Sequence, residues 1–179
     1  MNITKDQQIG KCDETCSYSY KYQTSSNCNA SNNKDNISFT YDSQSTPAVY
    51  FNNLVYQVEK IDVYSPSIHK FNGKKVDAEL IIRHISTSSG SPLLVCIPLT
   101  VTGTLTDGSK MLNNMLEQVA NKPLKNGTPA MKLTINNYNI DNLIPKKPFF
   151  YYTTNNNYYI AYGLMDALNI NKTVLSGIK

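Results

Sequence analysis

Ile61-Asp62-Val63-Tyr64-Ser65-Pro66-Ser67-Ile68-His69, followed closely by Asp77-Ala78-Glu79-Leu80-Ile81-Ile82-Arg83-His84, are the stretches on which the fold turns. Both read as strands, in which alternate side chains point to opposite faces, so Glu79 shares a face with Ile81 and Arg83. Between them, Phe71-Asn72-Gly73-Lys74 carries the Asn-Gly pair of a tight hairpin, and upstream Asn52-Asn53 separates Val49-Tyr50-Phe51 from Leu54-Val55-Tyr56 in the same way. Strand follows strand from Ile37 to Ile85. Leu93 to Val101 is a nearly continuous apolar run, the pattern of a strand covered on both faces. Ser109 is placed to cap a helix whose Met111, Leu112, Met115, Leu116 and Val119 recur at helical spacing before Pro123, and strands return at Met131 to Ile135 and Tyr158 to Leu164. The expected class is mainly β (α+β): one domain on a central, twisted, largely antiparallel sheet with one substantial helix near 109–121.

Upstream, Tyr18, Tyr20 and Tyr22 alternate with polar residues and fall on one face of a strand, a stripe suited either to packing on the sheet or to meeting a sugar or a partner. Residues 24–36, rich in Ser and Asn, read as a loop. Residues 1–36 are therefore expected to form a Tyr/Ser/Asn/Cys-rich extension, and 37–179 the domain. Cys96 reads as a small core residue. Cys12, Cys16 and Cys28 leave three states open: free thiols, a disulfide from Cys28 to Cys12 or Cys16, or a metal knuckle lacking a fourth ligand.

Lys and Arg number 17 against 13 for Asp and Glu, with Arg83 the only arginine, and the lysines are dispersed. This excludes the clustered basic surface that nucleic acid requires. Residues 1–10 are polar and lack the apolar core of a signal peptide, and Leu93 to Leu99 is far short of the roughly 20 residues that span a bilayer. No membrane anchor is expected. The abundance of Asn and the excess of Lys over Arg match an AT-rich genome, and the sequons at Asn2, Asn29, Asn36, Asn126 and Asn171 are no more than that composition yields by chance.

Residues 61–69 resemble the zinc strand of the α-carbonic anhydrases, F-H-F-H-x-P-S-E-H, whose first two histidines bind the metal; Pro66, Ser67 and His69 match. Residues 77–84 resemble the family's A-E-L-H-L-V-H strand, which supplies the third ligand. The three ligand positions are Asp62, Tyr64 and Ile81 in this chain, and the glutamate of P-S-E-H is Ile68. Weaker likenesses run from Ser38 to Lys179: Leu143-Ile144-Pro145 is similar to the family's L-L-P, Thr153-Thr154 to a shortened threonine loop, and Asn169 to Leu175 to its I-S-x-x-Q-L turn. The resemblance implies a truncated carbonic-anhydrase-like domain in which His69 hydrogen-bonds Glu79 and Tyr64 fills the space of the lost metal.

A catalytic zinc needs three protein donors and a bound water. With Ile81 donating nothing, the sequence leads to the expectation of a chain that is not an enzyme, with no catalytic residue, no metal and no cofactor. Zinc-free domains of this family occur in large DNA viruses. The resemblance therefore implies a virion protein made in the host cytoplasm, a minor capsid protein whose partners are other virion or capsid proteins. The alternative is attachment to a glycan or host surface molecule, with a sulfated glycan as ligand. Tyr18, Tyr20, Tyr22, Lys70, Lys74, Lys75, Lys146 and Lys147 are the candidate interaction residues.

Overall fold

A computed structural model of the chain describes residues 2–3, 18–33, 35–42, 47, 49–88, 90–121, 130–154 and 156–178. Cys12 and Cys16 lie outside them. The strands are β1 (Asn2–Ile3), β2 (Tyr18–Tyr20), β3 (Asn29–Asn33), β4 (Asn36–Phe39), β5 (Val49–Phe51), β6 (Leu54–Tyr64), β7 (Lys70–Phe71), β8 (Lys74–Lys75), β9 (Ala78–Ser86), β10 (Leu93–Thr100), β11 (Met131–Lys132), β12 (Phe150–Thr153), β13 (Tyr158–Ala161) and β14 (Leu168–Asn169). Two helices, α1 (Asp107–Asn121) and α2 (Lys172–Ile178), complete the regular structure. The main sheet runs β11-β3-β4-β6-β9-β10-β13-β12, with β5 also on β6, β2 on β5 and β14 on β10. It is mixed rather than uniform, because β13 and β14 pair parallel to β10 while β6 and β10 each pair antiparallel to β9.

The long central strands sort their side chains by parity. Ile61 and Val63 of β6, Leu80 and Ile82 of β9, and Leu93, Val95, Ile97 and Leu99 of β10 enter the large core. α1 closes that core with Leu112, Met115, Leu116 and Val119, and α2 adds Val174 and Leu175. The intervening residues face the other way, where Phe71, Ile81, Leu94, Cys96 and Ala161 form a second, smaller cluster. Both faces of these strands are thus covered, which is why β10 reads as an unbroken apolar run. Among the described residues, no helix is long and apolar enough to cross a membrane.

Both asparagine turns have the left-handed backbone that a two-residue hairpin demands: φ is 50° and 67° at Asn52 and Asn53, and 51° and 83° at Asn72 and Gly73. The helix begins earlier than its pattern suggests. Thr106 is its cap, with the Ser109 N–H donating to Thr106 Oγ1 at 3.0 Å and the Thr106 N–H to Ser109 Oγ at 2.7 Å, a reciprocal box in which Ser109 is the inner partner. At Gly108 the chain passes so close to the Asn142 carbonyl oxygen that a Cβ would lie 1.8 Å from it, so only glycine fits.

The sheet starts upstream of residue 37. β3 pairs with β4, and Tyr22, Cys28 and Ala30 lie in the large core, so residues 28–33 are strand and core rather than loop. Their Ser/Asn composition hides this because the strand is held by backbone pairing, with Ala30 the inward side chain. β11 and β13 are shorter than their patterns indicate, and α2 replaces the expected turn at 169–175.

Candidate functional site

The face opposite the large core carries the polar chemistry. β6 and β9 lie in a register that sets Asp62 opposite Ile81 and Tyr64 opposite Glu79. Glu79 is 1% exposed. A buried carboxylate needs donors, and the chain leaving β6 supplies them: Oε1 accepts the N–H groups of Ile68 at 2.8 Å and His69 at 2.9 Å, and Oε2 lies 2.5 Å from His69 Nδ1. Ser67 fixes the same turn, its hydroxyl donating to the His69 carbonyl at 2.7 Å and accepting the Val76 N–H at 3.0 Å. Facing a carboxylate, Nδ1 carries the imidazole proton, so Nε2 accepts from the Tyr152 hydroxyl, with which it is hydrogen-bonded. The Tyr152 ring stacks on Tyr159, centroids 4.5 Å apart and planes at 4°. Burial, then the neighbouring Cys96, Tyr159 and Glu79, holds the Tyr152 phenol protonated. Burial and the Glu79 charge do the same for the Cys96 thiol.

His69, Glu79 and Cys96 each offer a donor atom, and these lie within 4.8 Å of one another, all buried. Sequence reasoning missed Cys96 in this group. Its apolar neighbours in β10 mark it as core, and only the pairing of Cys96 with Ile81 and of Pro98 with Glu79 brings its thiol toward the carboxylate. Tyr152 was missed for a similar reason: nothing local in Phe149-Phe150-Tyr151-Tyr152 says which ring reaches His69.

The positions that match the family's zinc ligands do not fit a zinc ion. Asp62 accepts from Ser38 Oγ at 2.5 Å and pairs with Lys60 Nζ at 3.3 Å, and Asn33 donates to Ser38 at 2.8 Å. Tyr64 packs against the cluster of Phe71, Ile81 and Leu94, and its phenol is pushed up by burial and then by Asp62. Ile81 has no donor. Ile68, where the family has glutamate, is 46% exposed.

The tyrosine stripe turns inward. Tyr18 Oη lies 2.7 Å from Tyr22 Oη, which lies 2.7 Å from His84 Nε2, while His84 Nδ1 lies 3.1 Å from the Leu93 carbonyl and carries the proton. Tyr22 is buried, and Tyr18 and Tyr20 pack against the large core. Burial pushes the His84 imidazole down to about 4. Cys28 is a buried free thiol, pushed up to about 11 by burial although Tyr138 hydrogen-bonds it. Lys70, Lys74 and Lys75 project from the β7–β8 hairpin, with Lys70 and Lys75 directly opposite each other. Lys146 and Lys147 line a cleft of about 480 Å³ that also contains Met165 and Asp166.

No protein-family model and no curated protein sequence matches this chain. Its structure is similar to solved carbonic anhydrases. The α-carbonic anhydrase of Thermovibrio ammonificans, in complex with sulfanilamide, superposes with a TM-score of 0.71 at 17% identity over 99% of this chain and 75% of that one. Cah3 of Chlamydomonas reinhardtii, in complex with acetazolamide, gives 0.74 at 16% identity over 99% and 77%. The α-carbonic anhydrase of Aspergillus oryzae gives 0.73 at 13% over 100% and 75%. The chain therefore has the α-carbonic anhydrase fold.

These likenesses correct the expectation that the chain is not an enzyme. Solved structures on which it superposes, at 13–17% identity, are of carbonic anhydrases, and the statement that the chain is not an enzyme does not stand against them. That expectation rested on Asp62, Tyr64 and Ile81 at the ligand positions and on Ile68 in place of the glutamate. Unsuited ligands at Asp62, Tyr64 and Ile81 speak against one metal at one place and leave the other donor groups of the same face unaddressed.

Two outcomes are expected from this geometry. Replacing Asp62→His, Tyr64→His and Ile81→His together, in a chain that also carries Cys96→Ser, restores three imidazoles on one face and should yield about one tightly held zinc per chain by plasma mass spectrometry; a variant that folds but takes up no more zinc than the Cys96→Ser chain contradicts the register described. For His84, the unfolded chain gains a proton near its ordinary value of 6.5 while the folded one resists until about 4. Stability should therefore fall by about 3 kcal/mol as the pH drops through that window. Urea midpoints of the native chain and of His84→Gln should diverge at neutral pH and converge in acid; parallel curves would contradict a neutral buried imidazole.

Proposed function

We propose that this chain is a structural component of an assembled particle, a minor capsid protein of a large DNA virus that uses the carbonic anhydrase fold as a rigid body docked to neighbouring particle proteins. The observation that carries this is the apolar surface at one end of the sheet. Met165 is 88% exposed and Leu105 67%, with Leu164 and Val101 also exposed. They belong together: Thr104 bridges to Leu168 in parallel, which brings the 101–105 turn against the 164–166 segment. Single exposed apolar residues are ordinary, whereas several at one place mark a surface that another protein covers. The Asn-rich, Arg-poor composition supports the viral source.

A second reading, binding of a sulfated glycan, draws on the β7–β8 hairpin. Like charges placed directly across a strand pair repel, and Lys70 and Lys75 are so placed, with no acidic partner among the described residues. An anionic ligand would relieve that repulsion.

Mass spectrometry of purified particles from the organism that encodes the chain tests the first reading. The chain should persist in washed particles in fixed proportion to the major capsid protein. Its presence in infected-cell extract but absence from particles would contradict the assignment. Retention on a heparin column that is lost in a Lys70→Glu, Lys74→Glu, Lys75→Glu variant would instead favour the glycan.

A further inference from the structure

The His69–Glu79 pair lies buried beside a thiol. The Glu79 carboxylate is 1% exposed, and among the described residues neither Lys nor Arg pairs with it. Hydrogen bonds from two backbone N–H groups and from the imidazole offset part of its burial cost. Directed at it is a second group without an evident role. Cys96 is 1% exposed, its thiol lies within 4.8 Å of a His69 nitrogen and a Glu79 oxygen, and no described residue hydrogen-bonds it.

We infer that His69 Nδ1, a Glu79 carboxylate oxygen and Cys96 Sγ form a binding site for a divalent zinc-class cation, distinct from the Asp62, Tyr64 and Ile81 positions. The donor set is one imidazole, one carboxylate and one thiol, which suits zinc and excludes magnesium and calcium, whose ligands are oxygens. Three protein donors are also the number that zinc holds when a fourth position is left to a small ligand.

The cation takes the place of the proton now between Nδ1 and Oε2. These atoms part by about 1 Å to accept ligand bonds of about 2.0 to 2.3 Å, while Oε1 keeps its two backbone N–H groups. The imidazole proton moves to Nε2 and is donated to Tyr152 Oη, whose hydroxyl turns away. Cys96 loses its proton to solvent. One dication thus meets one carboxylate and one thiolate, a neutral set, and the thiol proton is released as the ion binds. The three donors come from the turn after β6, from β9 and from β10, so the ion joins the segments that carry this face.

The test uses the full chain with Cys12→Ser, Cys16→Ser and Cys28→Ser, so that Cys96 is the only thiol. After chelator treatment the protein is titrated with zinc and, separately, with cobalt(II). The expected result is about one zinc retained per chain through dialysis, a thiolate-to-cobalt charge-transfer band in the near ultraviolet, and a raised melting temperature. Cys96→Ser should abolish the band and weaken zinc binding by about tenfold or more, whereas Asp62→Ala should change neither. Circular dichroism first establishes that the serine variant folds, and the unsubstituted chain is titrated alongside it, where the band is expected as well. A folded chain that retains no zinc and shows no band overturns the inference. So does zinc that survives Cys96→Ser and is lost with Asp62→Ala.

Discussion

The need to satisfy one buried carboxylate organises the polar face of this protein. Glu79 sits at the start of β9, between Tyr64 of β6 and Pro98 of β10, where it is 1% exposed. Its three hydrogen bonds all come from Ile68 and His69, so the segment that follows β6 is drawn back across β9. His69 passes the constraint on to Tyr152, and Tyr152 stacks on Tyr159. A turn, two central strands and an outer hairpin are thereby tied to a single charge. Removing one member of such a chain leaves the others buried and unpaired, which costs more than the hydrogen bonds themselves contribute.

The large core is independent of this network. It is built by parity along β6, β9 and β10 and closed by α1, and its polar inclusions are confined to groups such as His84 with Tyr22 and Asn113 with Asn169. This separation accounts for how a fold at 13–17% identity to its structural neighbours keeps its shape while the residues facing the other way change character. Apolar positions of the core tolerate exchange among Val, Ile and Leu. On the opposite face, by contrast, Asp62 recruits Ser38 and Lys60, Arg83 recruits Glu59, and Tyr64 joins an apolar cluster, each a local solution to its own burial.

Much of the fold was legible because its signals are local. Asn52-Asn53 and Asn72-Gly73 announce hairpins through their tolerance of positive φ, and the spacing from Met111 to Val119 announces a helix. The Pro66-Ser67-His69 and Glu79 motifs carry the likeness on which the fold assignment rested. What escaped was non-local. β3, Asn-Ala-Ser-Asn-Asn, has no strand composition and exists because β4 and β11 flank it. α2, Lys-Thr-Val-Leu-Ser-Gly-Ile, is β-branched and contains glycine, and it is held by Val174 and Leu175 in the core rather than by propensity. Within the site, His69 and Glu79 were readable as a pair, whereas Cys96 and Tyr152 are brought to them by strand order alone. The overturned conclusion about catalysis was drawn from the residues at the lost zinc positions and from Ile68.

The most direct test of the Glu79 constraint is a double-mutant cycle in urea unfolding between His69→Ala and Glu79→Ala. If the imidazole and the carboxylate satisfy each other inside the protein, the two changes should be strongly non-additive, with a coupling energy of about 2 kcal/mol or more. A coupling within about 0.3 kcal/mol of zero would mean that the two side chains do not depend on one another and would contradict the account given for this face.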